Sequence, residues 1–314
     1  MLWLKRNKTG YYLKNYIRYY TPKYFYKKRL NQLLSAFKQR TDQEYIWKRV
    51  NYYNKIVDAF LLDKSAENIA KFHHTKHKST YFFDTWEHLR LFDIAQRFAY
   101  AFGDVTYVPK QASFVKSRPI GDDNAHSVVL KLDKIRHYLF VNDQKSFTEK
   151  KNMLVWRGDT RSKPNRIAFL KKYWNHPLCD VGQTHKKKEG VPWEKDRMGI
   201  EAQLEYKFIL SLEGMDVATN LKWGMSSNSL VFSPKLKYET WFMEGQLIGN
   251  KHFVQIKDDY SDLEEKMHYY QKHPEKAQEI IDAAHDYIKP FLDKEREDII
   301  SVLVMQKYFD LLKY

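Results

Sequence analysis

The chain has 314 residues, of which 43% are hydrophobic and 16% aromatic; this excludes a disordered protein and predicts two domains of ordinary size. Lys plus Arg (54) exceed Asp plus Glu (39), a net charge of +15 that calls for a polyanionic partner: nucleic acid, an anionic membrane or a phosphorylated substrate. The single cysteine, Cys179, excludes an intrachain disulfide, no apolar run approaches the roughly 18 residues of a membrane span, and the N-terminal MLWLKRNKTGYY lacks the apolar middle of a signal peptide. The expectation is a cytoplasmic protein, soluble or peripheral on the inner face of the membrane.

Residues 1–41 hold eleven Lys or Arg, and the first acid is Asp42. Trp3, Tyr11, Tyr12, Tyr16, Tyr19, Tyr20, Tyr24, Phe25, Tyr26 and Phe37 are interleaved with them. Three readings stand open: a lipid headgroup surface, a stacking surface for single-stranded nucleic acid, or tyrosines packed inward with lysines facing water. Pro22 breaks the stretch in two. The apolar period predicts a helix from Asp42 to Phe72 and another from Trp86 to Phe98. His73, His74 and His77 lack a further ligand at fixed spacing and sit beside Lys76 and Lys78, so zinc is not expected. Tyr100 to Phe102 reads as a strand running into Gly103 and Asp104. In a parallel sheet, ligands bind beyond the carboxyl ends of strands, so Asp104 is placed either as a catalytic carboxylate or as a turn residue. Lys116 and Arg118 form a compact basic cluster, and the adjacent Asp122 and Asp123 face opposite ways, which makes them poor candidates for a metal clamp. Ser127 to Leu132 reads as a strand, and a lysine-rich connection at 145–151 closes a first domain, residues 1–150.

The stretch Leu154–Arg166, LVWRGDTRSKPNR, organises the second half. An apolar strand ends in a turn at Gly158, with Arg157, Arg161 and Arg166 projecting from the turn and from the start of the next element. Arginine presents a planar fork of donors suited to phosphate oxygens, so the cluster suits a nucleotide diphosphate; a solvated basic loop is the alternative. Residues 183–197, with Lys186, Lys187 and Lys188, read as a surface loop. Tyr206 to Gly214 is a buried strand, Val217 to Met225 a short helix and Ser229 to Ser233 a second strand, together one parallel crossover unit. Asp216 is placed to cap that helix, and Thr219, Asn220 and Lys222 lie at its first turn, where backbone N–H groups favour phosphate. Neither GxGxxG nor GxxxxGK[ST] occurs. Tyr238 to Leu247 carries Glu239 and Glu244 around Trp241; a strand comes next at His252 to Ile256, then helices at Ser261 to His273, Pro274 to Leu292 and Glu295 to Leu312. A second domain, 151–292, and a C-terminal helix, 293–314, complete the chain.

Taken in order, VWRGDTR, YKFILSLEG, DVATNLKW, SLVF, ETWFMEGQL and HFVQI resemble glycosyltransferase family 90 over about residues 100–290. KSRPI and EGMDVATNLKW are most similar to its bacterial, lipopolysaccharide-modifying branch. The resemblance implies an α/β fold of two Rossmann-like domains facing a cleft, the GT-B type, with the C-terminal helix packed back on the N-terminal domain. It also implies a UDP-sugar donor, inversion at the anomeric carbon, and neither metal nor cofactor. Asp104 then lines up with the family's base, Arg157 and Arg161 with its phosphate-side arginines, and the helix after Gly214 with its donor helix. The expected donor-binding set is Arg157, Gly158, Arg161, Arg166, Asp216, Thr219, Asn220, Lys222 and Glu239, with Lys116 and Arg118 on the acceptor side. The chain departs from the family in having Asn220 where animal members carry arginine, and one extra residue before Arg161. A glycolipid such as a lipopolysaccharide core, or another glycan, is the expected acceptor, with an anionic membrane surface met through residues 1–41. A basic nucleic-acid-binding protein, or a lipopolysaccharide-core kinase, is the alternative.

Overall fold

A computed structural model describes residues 7–76, 79–185 and 189–313. Its strands, in chain order, are β1 (Glu67–Asn68), β2 (Arg97–Ala101), β3 (Ser113–Val115), β4 (Ser117–Pro119), β5 (Ser127–Val129), β6 (Lys151–Gly158), β7 (Cys179–Gln183), β8 (Tyr206–Leu210), β9 (Leu230–Ser233), β10 (Tyr238–Thr240) and β11 (Val254–Gln255). The described chain divides into two compact units: Tyr138–Lys237 with Gln246–Pro290, and residues 7–137 with Tyr238–Gly245 and 291–313. The protein is thus a mixed α/β structure with parallel sheets.

The unit built from the second half of the chain holds a five-stranded, all-parallel sheet in the order β11-β9-β8-β6-β7. Counted along the chain this is a 2-1-3-4-5 order, whose direction of growth reverses between β6 and β8. The side-chain period of two decides which face each residue serves. Leu154, Trp156, Phe208, Leu210 and Phe232 pack with Phe169 and Leu170 of the helix Pro164–Tyr173 and with residues of Leu263–Lys272 and Pro274–Ile288. Val155 and Ile209, pointing the other way, pack with Leu204 and Trp223. Pro164 and Pro274 each open a helix where a missing N–H costs nothing.

The other unit holds the sheet β1-β2-β3-β5, parallel from β2 to β5, and a two-stranded ribbon pairing β4 with β10. Pro22 separates the helices Lys8–Tyr20 and Lys23–Tyr26. The C-terminal helix Lys294–Leu311 packs on this sheet: the Tyr308 hydroxyl accepts from Ala99 N at 3.1 Å and donates to Ala112 O at 2.9 Å. Its Glu297 is buried, accepting from Arg49 (2.5 Å), Lys131 (2.7 Å) and the Trp241 indole (2.6 Å).

Several sequence expectations are corrected here. The helix expected over 42–72 ends at Tyr53, because the Asn54 side chain accepts from Ile56 N at 3.1 Å and draws the backbone into a turn. The helix expected over 86–98 is Ser79–Leu89 instead; Asp93 then turns the chain by accepting from Ala95 N at 3.0 Å, and Arg97–Phe98 enter β2. The short helix after Gly214 spans only Leu221–Met225, with Asn220 rather than Asp216 at its N-cap and no side-chain capping bond. Strand β7 is not among the elements expected from the sequence, since Asp180, Gly182 and Gln183 interrupt its apolar run.

Candidate functional site

Two sets of charged side chains gather beside parallel strands, one in each unit. In the five-stranded unit the set runs from Arg157, near the carboxyl end of β6, to Asp180 and Tyr206, near the amino ends of β7 and β8. The three arginines of the sequence motif have three different fates there. Arg157 lies inward along the sheet: its Nη1 donates to Asp180 O and its Nη2 to Asp180 Oδ1, both at 2.7 Å, while its Nε is buried with no hydrogen-bond partner among the described residues. Asp180 also accepts from Lys195 at 2.7 Å and from the Tyr206 hydroxyl at 2.6 Å. Burial pushes the Asp180 carboxyl up, but hydrogen bonds from Lys195, Tyr206 and Arg157 outweigh it and hold the group well below the usual carboxylate range. Arg157 and Lys195 line a cavity of about 700 Å³, with Gln183, His185, Arg197 and Met198 among its other walls. That volume lies within the range of about 300–1,000 Å³ typical of small-molecule sites.

Arg161 does not join them. It is 72% exposed and paired with Asp159 at 2.8 Å, an exposed two-residue loop contact. Hydrogen bonds from Arg161 hold the Asp159 carboxyl well below its usual value. Arg166 binds backbone rather than facing a ligand: it donates to Asp159 O (2.8 Å), Leu212 O (2.6 Å) and Glu213 O (3.1 Å), over the Trp156 ring. It thereby ties the loop after β6 to the loop after β8, the two loops that flank the reversal point of the sheet. Burial lowers its guanidinium to about 10. Gly158 is required by close approach, since a Cβ there would lie 2.9 Å from Trp156 Cη2. Asp216 is buried, Thr219 precedes the short helix, and Asn220 Nδ2 donates to Leu210 O at 2.8 Å. Lys222 is fully buried, its ammonium 5.8 Å from the Tyr138 ring centroid. The expected phosphate-binding helix is therefore a short turn of five residues, with Thr219 and Asn220 half-buried before it.

In the other unit Asp104 follows β2, Lys116 follows β3 and Asp133 follows β5. Gly103, at φ +126°, turns the chain in a conformation that side chains rarely adopt and delivers Asp104. Lys116 is buried and donates to Asp104 Oδ1 at 2.6 Å, while the Asp104 side chain remains 37% exposed. Asp133, at φ +54°, is buried and accepts from Arg136 at 2.9 Å. Burial raises its carboxyl; Arg136 and Lys116 oppose the rise and Asp104 adds to it.

Arg118 and Glu239 take a structural role. They face each other across the β4–β10 register at 2.7 Å, both fully buried. Arg118 also donates to Tyr52 O at 2.6 Å and Ser127 O at 3.0 Å, and Glu239 accepts from Tyr52. Glu239 thus lies in the unit of Asp104 and not in that of Arg157. His74 is packed among Tyr16, Tyr19 and Phe83, and His77 lies outside the described residues, as do Lys186, Lys187 and Lys188. Among the described residues no group of three His, Cys, Asp or Glu side chains is placed to hold a metal ion, and no helix is long and apolar enough to cross a membrane.

Sequence reasoning missed Asp180, Lys195 and Asp133. The available signal for Asp180 was an acid between two apolar residues, Cys179 and Val181, in a segment that folds as a buried strand.

Residues 125–314 match the profile of glycosyl transferase family 90. O-glucosyltransferase LpsA of Dichelobacter nodosus is 45% identical over 265 residues, 84% of this chain and 83% of that protein. Protein O-glucosyltransferase 3 of Rattus norvegicus is 28% identical over 173 residues, and that of Homo sapiens 28% over 172; each alignment covers 53% of this chain but only 34% of the relative. These matches select the transferase reading over the nucleic-acid-binding and kinase alternatives. With a family match over more than half its length and a relative at 45% identity across most of both chains, the protein belongs to glycosyl transferase family 90.

Proposed function

We propose that this chain is an inverting glycosyltransferase that moves a hexose or pentose from a UDP-sugar to a hydroxyl of a lipopolysaccharide core or another glycan. The name of the bacterial relative, an O-glucosyltransferase, favours glucose. The observation that carries the reading is a nucleotide-sized cavity lined by Arg157 and Lys195, which meets the carboxyl ends of β6 and β7 at Arg157 and Gln183, with Asp180 accepting from both cations. Open parallel sheets bind nucleotides at such ends.

In this reading the unit carrying Arg157 takes the donor and the unit carrying Asp104 supplies the base, as two Rossmann-like domains of a GT-B enzyme would. Asp104 accepts the proton of the acceptor hydroxyl as that oxygen bonds to the anomeric carbon. The bond from that carbon to the β-phosphate oxygen breaks, and UDP leaves with the electron pair. Lys116, donating to Asp104 Oδ1 at 2.6 Å, orients the carboxylate that accepts the proton. Arg157 and Lys195 offset the charge developing on the diphosphate, so the step draws on fixed cations of the chain rather than on a metal or cofactor. Arg166 positions the loops beside the donor instead of touching it. The location proposed is cytoplasmic.

Asp104→Asn is expected to lower transfer by about 10²–10⁴-fold while calorimetric UDP binding persists. Arg157→Met is expected to weaken UDP binding itself. Transfer by Asp104→Asn near the wild-type rate would overturn the assignment of the base.

A further inference from the structure

We propose that the exposed side of the helix Lys8–Tyr20, with the turn after it, is a docking face for an anionic lipid bilayer. This goes beyond the transfer reaction and does not depend on which acceptor is used. The helix has two apolar sides. One is seated in its own unit: Tyr11 donates to Asp84 at 2.8 Å, Tyr12 lies against Phe83 and Tyr19 against Phe82 and Trp86, and Asn15 is buried. The other side carries Leu13 (61% exposed), Ile17 (61%) and Tyr20 (70%). Their spacing of four and three residues places them in one stripe. Tyr24 (84% exposed) and Phe25 (75%), in the short helix Lys23–Tyr26, carry the apolar surface past Pro22.

Lys14, Lys23, Lys27 and Lys28 are exposed around this surface. The arginines described before Asp42 are paired within the fold: Arg18 with Glu87, Arg29 with Asp298 at 3.7 Å, and Arg40 with Asp42 and Asp293. Exposed aliphatic and aromatic side chains ringed by lysines suit the boundary between acyl chains and anionic headgroups. Leu13 and Ile17 have no ring on which a nucleic-acid base could stack, which disfavours single-stranded nucleic acid. A second copy is disfavoured by charge: a twofold contact through this face would set lysines against lysines.

The test is co-sedimentation of the full chain with vesicles of phosphatidylcholine alone, and of phosphatidylcholine with roughly a third phosphatidylglycerol. Binding is expected only to the anionic vesicles and to weaken as salt is raised. Leu13→Ser/Ile17→Ser, at exposed positions, is expected to reduce the partition coefficient about tenfold or more, and Lys23→Gln/Lys27→Gln/Lys28→Gln to do likewise. Both variants should keep the wild-type melting temperature and the wild-type transfer rate to a soluble acceptor. Absence of wild-type binding to anionic vesicles, or binding unchanged in both variants, would overturn the proposal. So would a dimer in sedimentation velocity that the Leu13/Ile17 variant dissolves, or oligonucleotide binding that the same substitutions abolish.

Discussion

Arg166 separates two accounts of the motif's arginines, because a brace and a phosphate ligand respond differently to substitution. Its guanidinium satisfies three backbone carbonyls drawn from two loops, at 2.6, 2.8 and 3.1 Å. In Arg166→Lys the charge is kept, but one ammonium lacks the planar fork that reaches all three acceptors. Two carbonyls left short of a donor cost about 1–2 kcal/mol each, so the loss is about 2–4 kcal/mol. In a domain of this size that lowers the melting temperature by about 5–15 °C. Calorimetry on wild type and variant, with and without UDP, is the assay. The brace account expects the free variant to melt well below the wild type, and UDP to bind more weakly because the loops beside the reversal of the sheet have lost their register. A variant that melts with the wild type yet loses UDP affinity more than tenfold would refute this reasoning and make Arg166 a direct ligand.

Three other substitutions test the packing around the two candidate sites. Gly158→Ala forces a Cβ to 2.9 Å from Trp156 Cη2, and an overpacking loss of about 1–3 kcal/mol is expected in urea denaturation, together with weaker UDP binding. Glu239→Gln leaves Arg118 charged, buried and without its anion; about 3–5 kcal/mol of stability should be lost, and a variant that unfolds with the wild type would contradict a structural role for the pair. Asp180 has a folded-state carboxyl held low, so its stabilising contribution is complete above the ordinary value, about 3.9, and disappears as pH falls below that toward the folded value. Denaturation from pH 3 to 7 should therefore show a shallower decline with falling pH for Asp180→Asn than for the wild type, from a lower starting point at pH 7. Parallel curves would show that the ion cluster contributes nothing.

The sequence by itself determined the elements whose burial is two-sided or strongly periodic. Strands β6, β8 and β9 read as apolar runs because helices cover both faces of a parallel sheet, and the helix Lys294–Leu311 declared itself by its period. Gly158 and Gly103 marked where strands give way to turns, and Asp104 was legible because an acid comes directly after one of those glycines. Only the tertiary structure decided what each charged group does. A guanidinium binds whatever carboxylate or carbonyl the fold brings to it, and those partners lie 23 residues away for Arg157, 47 for the Glu213 carbonyl beside Arg166 and 121 for Arg118. The motif put three arginines in one stretch of chain, but local spacing carries no information about distant acceptors. One arginine therefore lines the cavity, one pairs in solvent, and one holds two loops together.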